Sequence, residues 1–470
     1  MVQSRLFAHD KNQLELRVGY PAAGDGDQDY QVETFLFFPR TLGITADSYT
    51  RDTFYRDTGA FVRLSTPQAT LEDLGPHGRA PVYDELEQAL REDVDDAVRR
   101  IKVLGCVLKS SLKREVKVAL QGGGDPEALL PLADRIEGAM MRFESHAQPD
   151  PTLAMPLRNA WAACDEFVSL EAESACTRVV QCQPEGPVRE RFAALAVACY
   201  THRRGRGFQS IVEPGAENEA LLLKHRRAKR AMYSVLYLEA LRHEPGQLWT
   251  NLAGMIAAAV AMFFAVLTTL WATQRFEMAS TAFVTIAVVS YVVKDRIKDL
   301  GRALIGERLA SQSPDHEVAV RDHELNKRVG TLRETFRIAD PDDIDPLVMA
   351  ERLRHHDSAL AADARPETVV CWRKQMKLDA GALSEHPLGV AGLTDIVRFN
   401  FERLRARMGP AYVDRVVVDP ATHELLTIRC ASVHHVNVLV RLTGPDGPTR
   451  IEGVRVVLDQ RGIKRVERLD

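Results

Sequence analysis

Polar and apolar positions divide the chain into three regimes: period-two alternation toward both ends, three- and four-residue steps between, and a stretch from Leu248 to Val293 where charge almost disappears. In that stretch LWTNLAGMIAAAVAMFFAVLTTLWA (248–272) is uncharged, Thr273 to Glu277 make a turn, and MASTAFVTIAVVSYVV (278–293) is again uncharged. At a helical rise of about 1.5 Å per residue the two runs reach about 37 Å and about 24 Å, against a hydrocarbon core of about 30 Å. The expectation is a two-helix transmembrane hairpin (248–272 and 278–293) within residues 246–294. A hairpin buried in a large soluble core is the alternative.

Trp249 and Trp271 bracket the first run and Tyr291 stands near the end of the second, which suits interfacial anchors. Ala253, Ala257, Ala261 and Ala265 recur every fourth residue, giving a face small enough for close helix packing. Positive charge flanks the pair: Lys224, Arg226, Arg227, Lys229 and Arg230 before it, Lys294, Arg296 and Lys298 after it, and only Arg275 with Glu277 in the turn. These bases are read as topogenic, with binding of anionic lipid as an added role, and both termini are placed in the cytoplasm.

Ahead of the hairpin, Leu14, Leu16, Val18 and Tyr20 alternate with polar residues and YQVETFLFF follows a Gly/Asp-rich turn, predicting a β-hairpin. With a short aromatic helix in the stretch that carries Tyr49, Phe54, Tyr55 and Phe61 it fills residues 1–70. A helical bundle is expected over 80–245, with one helix from Val82 to Gln121, a stop at Gly122-Gly123-Gly124, a start at Asp125-Pro126-Glu127, and a last helix from Asn218 to Arg242. Residues 295–360 are expected as cytoplasmic stalk helices, one of them from His316 to Phe336. Residues 365–470 are expected as an antiparallel α+β domain, with a helix over LTDIVRFNFERLRARM and strands RVVVD, ELLTIRC, HVNVLVRLT, GVRVVLD and IKRVERL. The fold class is therefore an α+β membrane protein: a two-helix transmembrane hairpin between a mostly helical cytoplasmic bundle, itself preceded by a β-hairpin, and a carboxy-terminal antiparallel α+β domain. The strands near the two termini both need partners, and whether they share one sheet is left open by the sequence.

Composition adds little to this picture. A mean hydropathy of −0.19 and a net charge of −4 describe soluble domains around an apolar insert. No signal-peptide core opens the chain, so the hairpin itself is expected to direct insertion. Seven cysteines without CxxC spacing fit reduced thiols, and Cys106, Cys164, Cys199 and Cys430 read as packing residues. Abundant Arg and Ala point to a bacterial gene, and hence to an inner membrane.

Candidate chemistry is sparse. The triple glycine lacks the Gly-Lys-Ser/Thr of a phosphate loop, and the acids beside it would repel phosphate. His355-His356-Asp357, with His316 and Asp322-His323 upstream, loosely matches a metal-dependent phosphohydrolase, but solvated loop residues are the simpler reading. HRRGRG (202–207) lacks interleaved aromatics in a net acidic chain, so no nucleic-acid partner is expected. No catalytic residue, cofactor or metal site is assigned. The sequence is best read as a non-enzymatic membrane-anchored scaffold or sensor, partnered by the lipid bilayer and by itself or another protein. The runner-up is an oligomeric pore lined by Thr268, Thr269, Thr273, Ser280 and Thr281, and a third reading is a membrane-surface metal-dependent hydrolase.

Overall fold

The computed structural model describes residues 3–24, 26–147, 151–215, 217–277, 280–323, 326–354, 367–445 and 447–469, with backbone alone at 246–250 and 305–312. In chain order the elements are β1 (Gln3–Ala8), β2 (Gln13–Pro21), β3 (Asp27–Pro39), α1 (Arg51–Asp57) and β4 (Thr58–Leu64). Six helices follow: α2 (Pro81–Glu92), α3 (Val94–Gln121), α4 (Pro126–His146), α5 (Met155–Cys182), α6 (Pro187–Gly205) and α7 (Glu219–Tyr233). Next come β5 (Glu239–His243), α8 (Gly246–Arg275), α9 (Thr281–Gln312), β6 (His316–Arg321), β7 (Arg328–Ala339) and α10 (Pro346–Arg354). The chain closes with β8 (Glu367–Asp379), α11 (Ala380–Ser384), β9 (Gly392–Asn400), α12 (Glu402–Arg405), β10 (Tyr412–Val418), β11 (Leu425–Ala431), β12 (His434–Thr443), β13 (Arg450–Asp459) and β14 (Gly462–Leu469). The fold is α+β.

Two compact units emerge. One joins Met1–Val62, Glu239–Ala382 and Thr394–Asp470; the other comprises Arg63–Leu238 and Leu383–Leu393. In the first, an eight-stranded sheet runs β14-β13-β12-β3-β8-β7-β6-β5. Strand β3 lies between β12 and β8, with Leu36 opposite both Val438 and Val370, so the amino- and carboxy-terminal segments share a sheet, a question the sequence leaves open. A four-stranded sheet, β1-β2-β9-β4, packs on its inner face, where Trp372 meets Phe399 at 5.8 Å and Phe54 of α1 stacks on Phe336 at 4.7 Å. On the outer face α10 sets Val348 into a cluster with Phe35, Phe37, Val369, Cys371 and Leu439. Strands β10 and β11 stand apart as a two-stranded ribbon, exposed along nearly its whole length.

Several expectations need correction. The segments Leu14–Tyr20 and Tyr30–Phe38 form strands but not a hairpin with each other; β2 pairs with β1, and β3 joins the other sheet. The single helix over 82–121 is broken at Asp93, which adopts extended backbone and accepts a hydrogen bond from the Asp95 amide at 3.0 Å, capping α3. The last bundle helix ends at Tyr233 rather than Arg242, and 239–243 is strand β5. Residues 316–336 are two strands instead of a stalk helix: His316, Val318 and Val320 are buried in alternation, and Asn326 at φ 51° helps turn the chain into β7. LTDIVRFN is strand β9, leaving only the short helix α12 after it. Cys430 is exposed rather than packed. The expected stop and start between helices stand, with Gly123 and Gly124 at positive φ and Asp125 accepting from the Glu127 amide at 3.1 Å.

Phe37 is fully buried between the sheet and α10, so Phe37→Ala is expected to cost about 3–5 kcal/mol in urea unfolding. Val416→Ala in the exposed ribbon should stay within about 0.5 kcal/mol of wild type in the same assay.

Candidate functional site

The feature with functional character is the insertion of two long helices into the edge of the large sheet. Strands β5 and β6 are sequence neighbours only through α8 and α9, yet they pair directly, with Arg242 opposite Val318 and His243 opposite Glu317. The helices lie antiparallel. Ala253, Ala257 and Ala261 are buried and Ala265 half-buried, so the small-residue stripe of α8 is the seam with α9. Gly301 completes it: a Cβ there would lie 3.0 Å from that of Ala257, an approach that favours glycine. Thr268 and Ser290 share a hydrogen bond of 2.5 Å farther along. The same interval separates Ala257 from Thr268 and Ser290 from Gly301, which fixes one register for the whole pair.

That register sets Tyr291 level with Leu267 and Lys294 level with Phe264. Tyr291 is exposed, carries the Lys294 ammonium 4.0 Å above its ring, and lies nearer the level of Trp271 than of Trp249. Trp271 is exposed beside Phe276; the Trp249 side chain is outside the described residues. Arg296 and Lys298 project from α9 into the open, whereas Lys294 is half-covered and lies 3.8 Å from Asp295. Among the described residues Asn251–Arg275 is the one segment long and apolar enough to cross a membrane.

The hydroxyls first considered as a pore lining bond locally. Thr269 donates to the Ala265 carbonyl and Thr273 to that of Leu270, Thr268 is shared among Phe264, Ala265 and Ser290, and Ser280 accepts from the Phe283 amide. The basic run lies on α7 in the second unit, separated from α8 by a turn and β5. There Lys224 is half-buried and bonded to Gln209, while Arg226, Arg227, Lys229 and Arg230 are exposed.

At the root of the helices lies a set of buried charges that sequence reasoning missed. Arg242, just before α8, reaches Glu334 at 3.5 Å; Glu334 lies 3.5 Å from Lys374, and Lys374 bonds Asp395. Glu334, Lys374 and Asp395 are at most 1 % exposed, and the Lys374 ammonium lies 4.7 Å over Trp372. On the α9 side, Asp315 accepts from the Phe336 amide at 2.5 Å and from the Tyr55 hydroxyl at 3.1 Å, and pairs with Arg51 at 3.6 Å. His316 stacks edge-on against Tyr55 at 4.3 Å. Burial, reinforced by Asp395 and Glu334, pushes the Tyr20 hydroxyl well up, and burial with the Arg242 charge holds His316 below its ordinary range. The signal for these residues was a charge in the inward phase of a strand: Glu334 between Leu332 and Phe336, Lys374 between Trp372 and Met376, Asp395 between Leu393 and Val397.

Glu334, Lys374 and Asp395 are closed to solvent, with the exposed Arg242 at their edge, so the buried trio fixes strand positions rather than meeting a ligand. An open groove of about 720 Å³ on the outer face includes Arg333 and Lys377, but Glu317 and Asp27 pair with them at 3.1 and 2.8 Å, leaving the walls largely neutralised. No group of three His, Cys, Asp or Glu side chains is placed to hold a metal among the described residues. His355, His356 and Asp357 lie outside them.

No known protein family, curated protein or solved structure matches the chain. Function is therefore argued from the geometry.

Removing one member of the buried chain strands the others. Lys374→Ala is expected to cost about 3–5 kcal/mol in urea unfolding, whereas Lys374→Met combined with Glu334→Leu and Asp395→Leu should regain most of it. Burial raises the Glu334 pKa above 4.5, with Lys374 opposing it and Asp395 and burial acting together. The folded state then holds that proton more tightly than the unfolded chain, so the group's contribution is full below 4.5 and declines as pH rises toward the folded value. Glu334→Gln should remove this declining limb from unfolding free energies measured from pH 4.5 upward.

Proposed function

We propose that this chain is a non-enzymatic scaffold or sensor anchored in a bacterial inner membrane by the two-helix hairpin, with both termini on the cytoplasmic side. It assembles there with itself or with a protein partner. The observation that carries the reading is the pairing of β5 with β6. A strand that leaves the sheet at His243 returns beside it at His316, so the number of crossings between them must be even. If α8 enters lipid and reaches the far side, α9 must come back. Composition supports the crossing for α8, and connectivity supports it for α9.

Charge agrees with the orientation. Arg242 precedes the hairpin, Lys294, Arg296, Lys298 and Arg302 occupy the returning helix, and the turn holds Arg275 and Glu277. Exposed apolar side chains on the β10–β11 ribbon, among them Val416, Val418, Leu425 and Ile428, supply a surface for assembly, since a lone two-stranded ribbon is marginal in water. The sensing role rests on the root: Arg242 and Asp315 tie the first and last residues around the hairpin to Glu334, Tyr55 and Phe336 in the core, so a shift of either helix loads the buried charges.

Flotation on lipid vesicles and alkaline carbonate washing test the anchor. The full chain is expected to float and to resist the wash. A chain in which residues 244–314 are replaced by Asn-Gly, which leaves a four-residue connection from His243 to the Glu317 it pairs with, should stay in the soluble fraction with its β-sheet circular dichroism intact. Release of the full chain by carbonate would refute the anchor.

A further inference from the structure

The two helices of the hairpin disagree about where lipid ends. Along one side of α9, Val284, Val288 and Val292 are exposed; the next turns on that same side present Asp295, Asp299 and Arg302. The change on that side comes at Lys294, which the register sets level with Phe264, about halfway down the apolar run of α8; on another side α9 keeps Leu300 and Leu304 exposed, with Arg296 and Lys298 near them. Between that level and the sheet, α8 still exposes Leu252, Met255, Ile256, Val260 and Met262.

Neither depth suits a lone hairpin. Sinking it until those side chains meet lipid carries Asp295, Arg296, Lys298 and Asp299 into hydrocarbon, at about 2.5–3.5 kcal/mol for each by insertion scales. A shallower seat, with lipid ending near Lys294, leaves an inserted height of about 20 Å, and thinning the bilayer to match costs only fractions of a kcal/mol per Å. The shallow seat is favoured. It leaves the near half of α8 apolar and outside lipid.

We infer that α8 of a second copy covers it. Leu252, Ile256, Ala259, Phe263, Val266 and Leu270 follow alternating four- and three-residue steps and are all exposed, which is the spacing of a two-helix seam. This stripe is separate from the alanine seam that holds α9, and it runs through the level of Lys294 without a change in character. Lipid would cover its far half alone, and a soluble partner its near half alone. A second copy in the same bilayer carries the same transition at the same height and covers both. On α9 the charges Asp295 and Asp299 lie away from Ser290 and Gly301, which face α8, and Arg302 reaches the Gly254 flank of α8 on the side opposite the Leu252–Leu270 stripe, so pairing through that stripe leaves all three charges uncovered.

The inference rests on the membrane reading, and the test separates the two. In the full chain with the exposed Cys182 and Cys430 changed to Ser, single cysteines are placed at Ile256, Phe263 or Met262, oxidised in vesicles, and floated. Ile256→Cys and Phe263→Cys are expected to give a disulfide-linked dimer. Met262→Cys, exposed but about 100° around the helix from Phe263, is expected to give none. Floating protein that does not cross-link at Ile256 or Phe263, or that cross-links equally at Met262, overturns the pairing and leaves the anchor standing. Dimer that does not float overturns the anchor and leaves the pairing standing. Asp295→Cys reports depth: rapid modification by a membrane-impermeant maleimide is expected, and protection from it would overturn the shallow seat.

Discussion

Backbone hydrogen bonds between β5 and β6 close the chain around its most apolar segment, and those of β3 with β8 and β12 bind residues far before that segment to residues far after it. A sheet assembled this way cannot have its strands on two sides of a barrier. Everything inserted between β5 and β6 is a loop, however long, whose ends are pinned to neighbouring positions on one edge. The extra closure entropy of a long loop grows only slowly with length, so an insertion of this size is compatible with a stable sheet. It also shields the edge, because β5, the outermost strand on that side, is short and carries Glu239, Arg242 and His243.

The cost of this arrangement appears beneath the edge. Burying Lys374 with Glu334 and Asp395 gains little stability over a well-packed apolar trio. What the ion chain does provide is direction: Asp395 is on β9 of the small sheet, Lys374 and Glu334 on adjacent strands of the large one, and Arg242 on the strand that leads into α8. A slip of any strand by one residue would turn its charge outward and orphan the others. The network thus penalises alternative registers in a sheet whose outer strands are held by few neighbours.

Much of this was legible in the residues. The alternation in β2, β3, β8 and β12, the glycine stop after α3, the Asp-Pro start of α4 and the alanine stripe of α8 all name their element and their inward face. The failures share a cause. In 316–336 and 392–400 the inward phase holds His316, Glu334 and Asp395, so an apolar count breaks at the points where the core is charged. The inward charges hide the period of two and leave apolar spacings that also fit a helix. The mispairing of β2 with β3 has another origin: a Gly/Asp-rich turn favours a hairpin locally, but β3 is satisfied on both edges by β8 and β12, and long-range pairing wins. The register of α8 against α9 was not readable from either helix alone, since it depends on which small residue meets which, and Gly301 lies outside the segment first assigned to the membrane.

That register gives α8 two unlike sides, one already mated to α9 and one exposed. Small side chains mate α8 to α9, where close approach and van der Waals contact suffice because the two are covalently tethered and bear little entropic cost of meeting. Large ones, Leu252, Ile256, Phe263 and Leu270, line a different side of α8 and bury more area for each turn. An untethered contact needs that larger gain to offset the freedom lost on association. A helix apolar on every side is compatible with lipid throughout its length only if its partner is as well; here α9 carries Asp295, Arg296, Lys298, Asp299 and Arg302 beyond Lys294, with Leu300 and Leu304 exposed among them. On the proposed membrane reading, the excess apolar surface of α8 over α9 measures how much of this hairpin is covered by protein instead of by lipid.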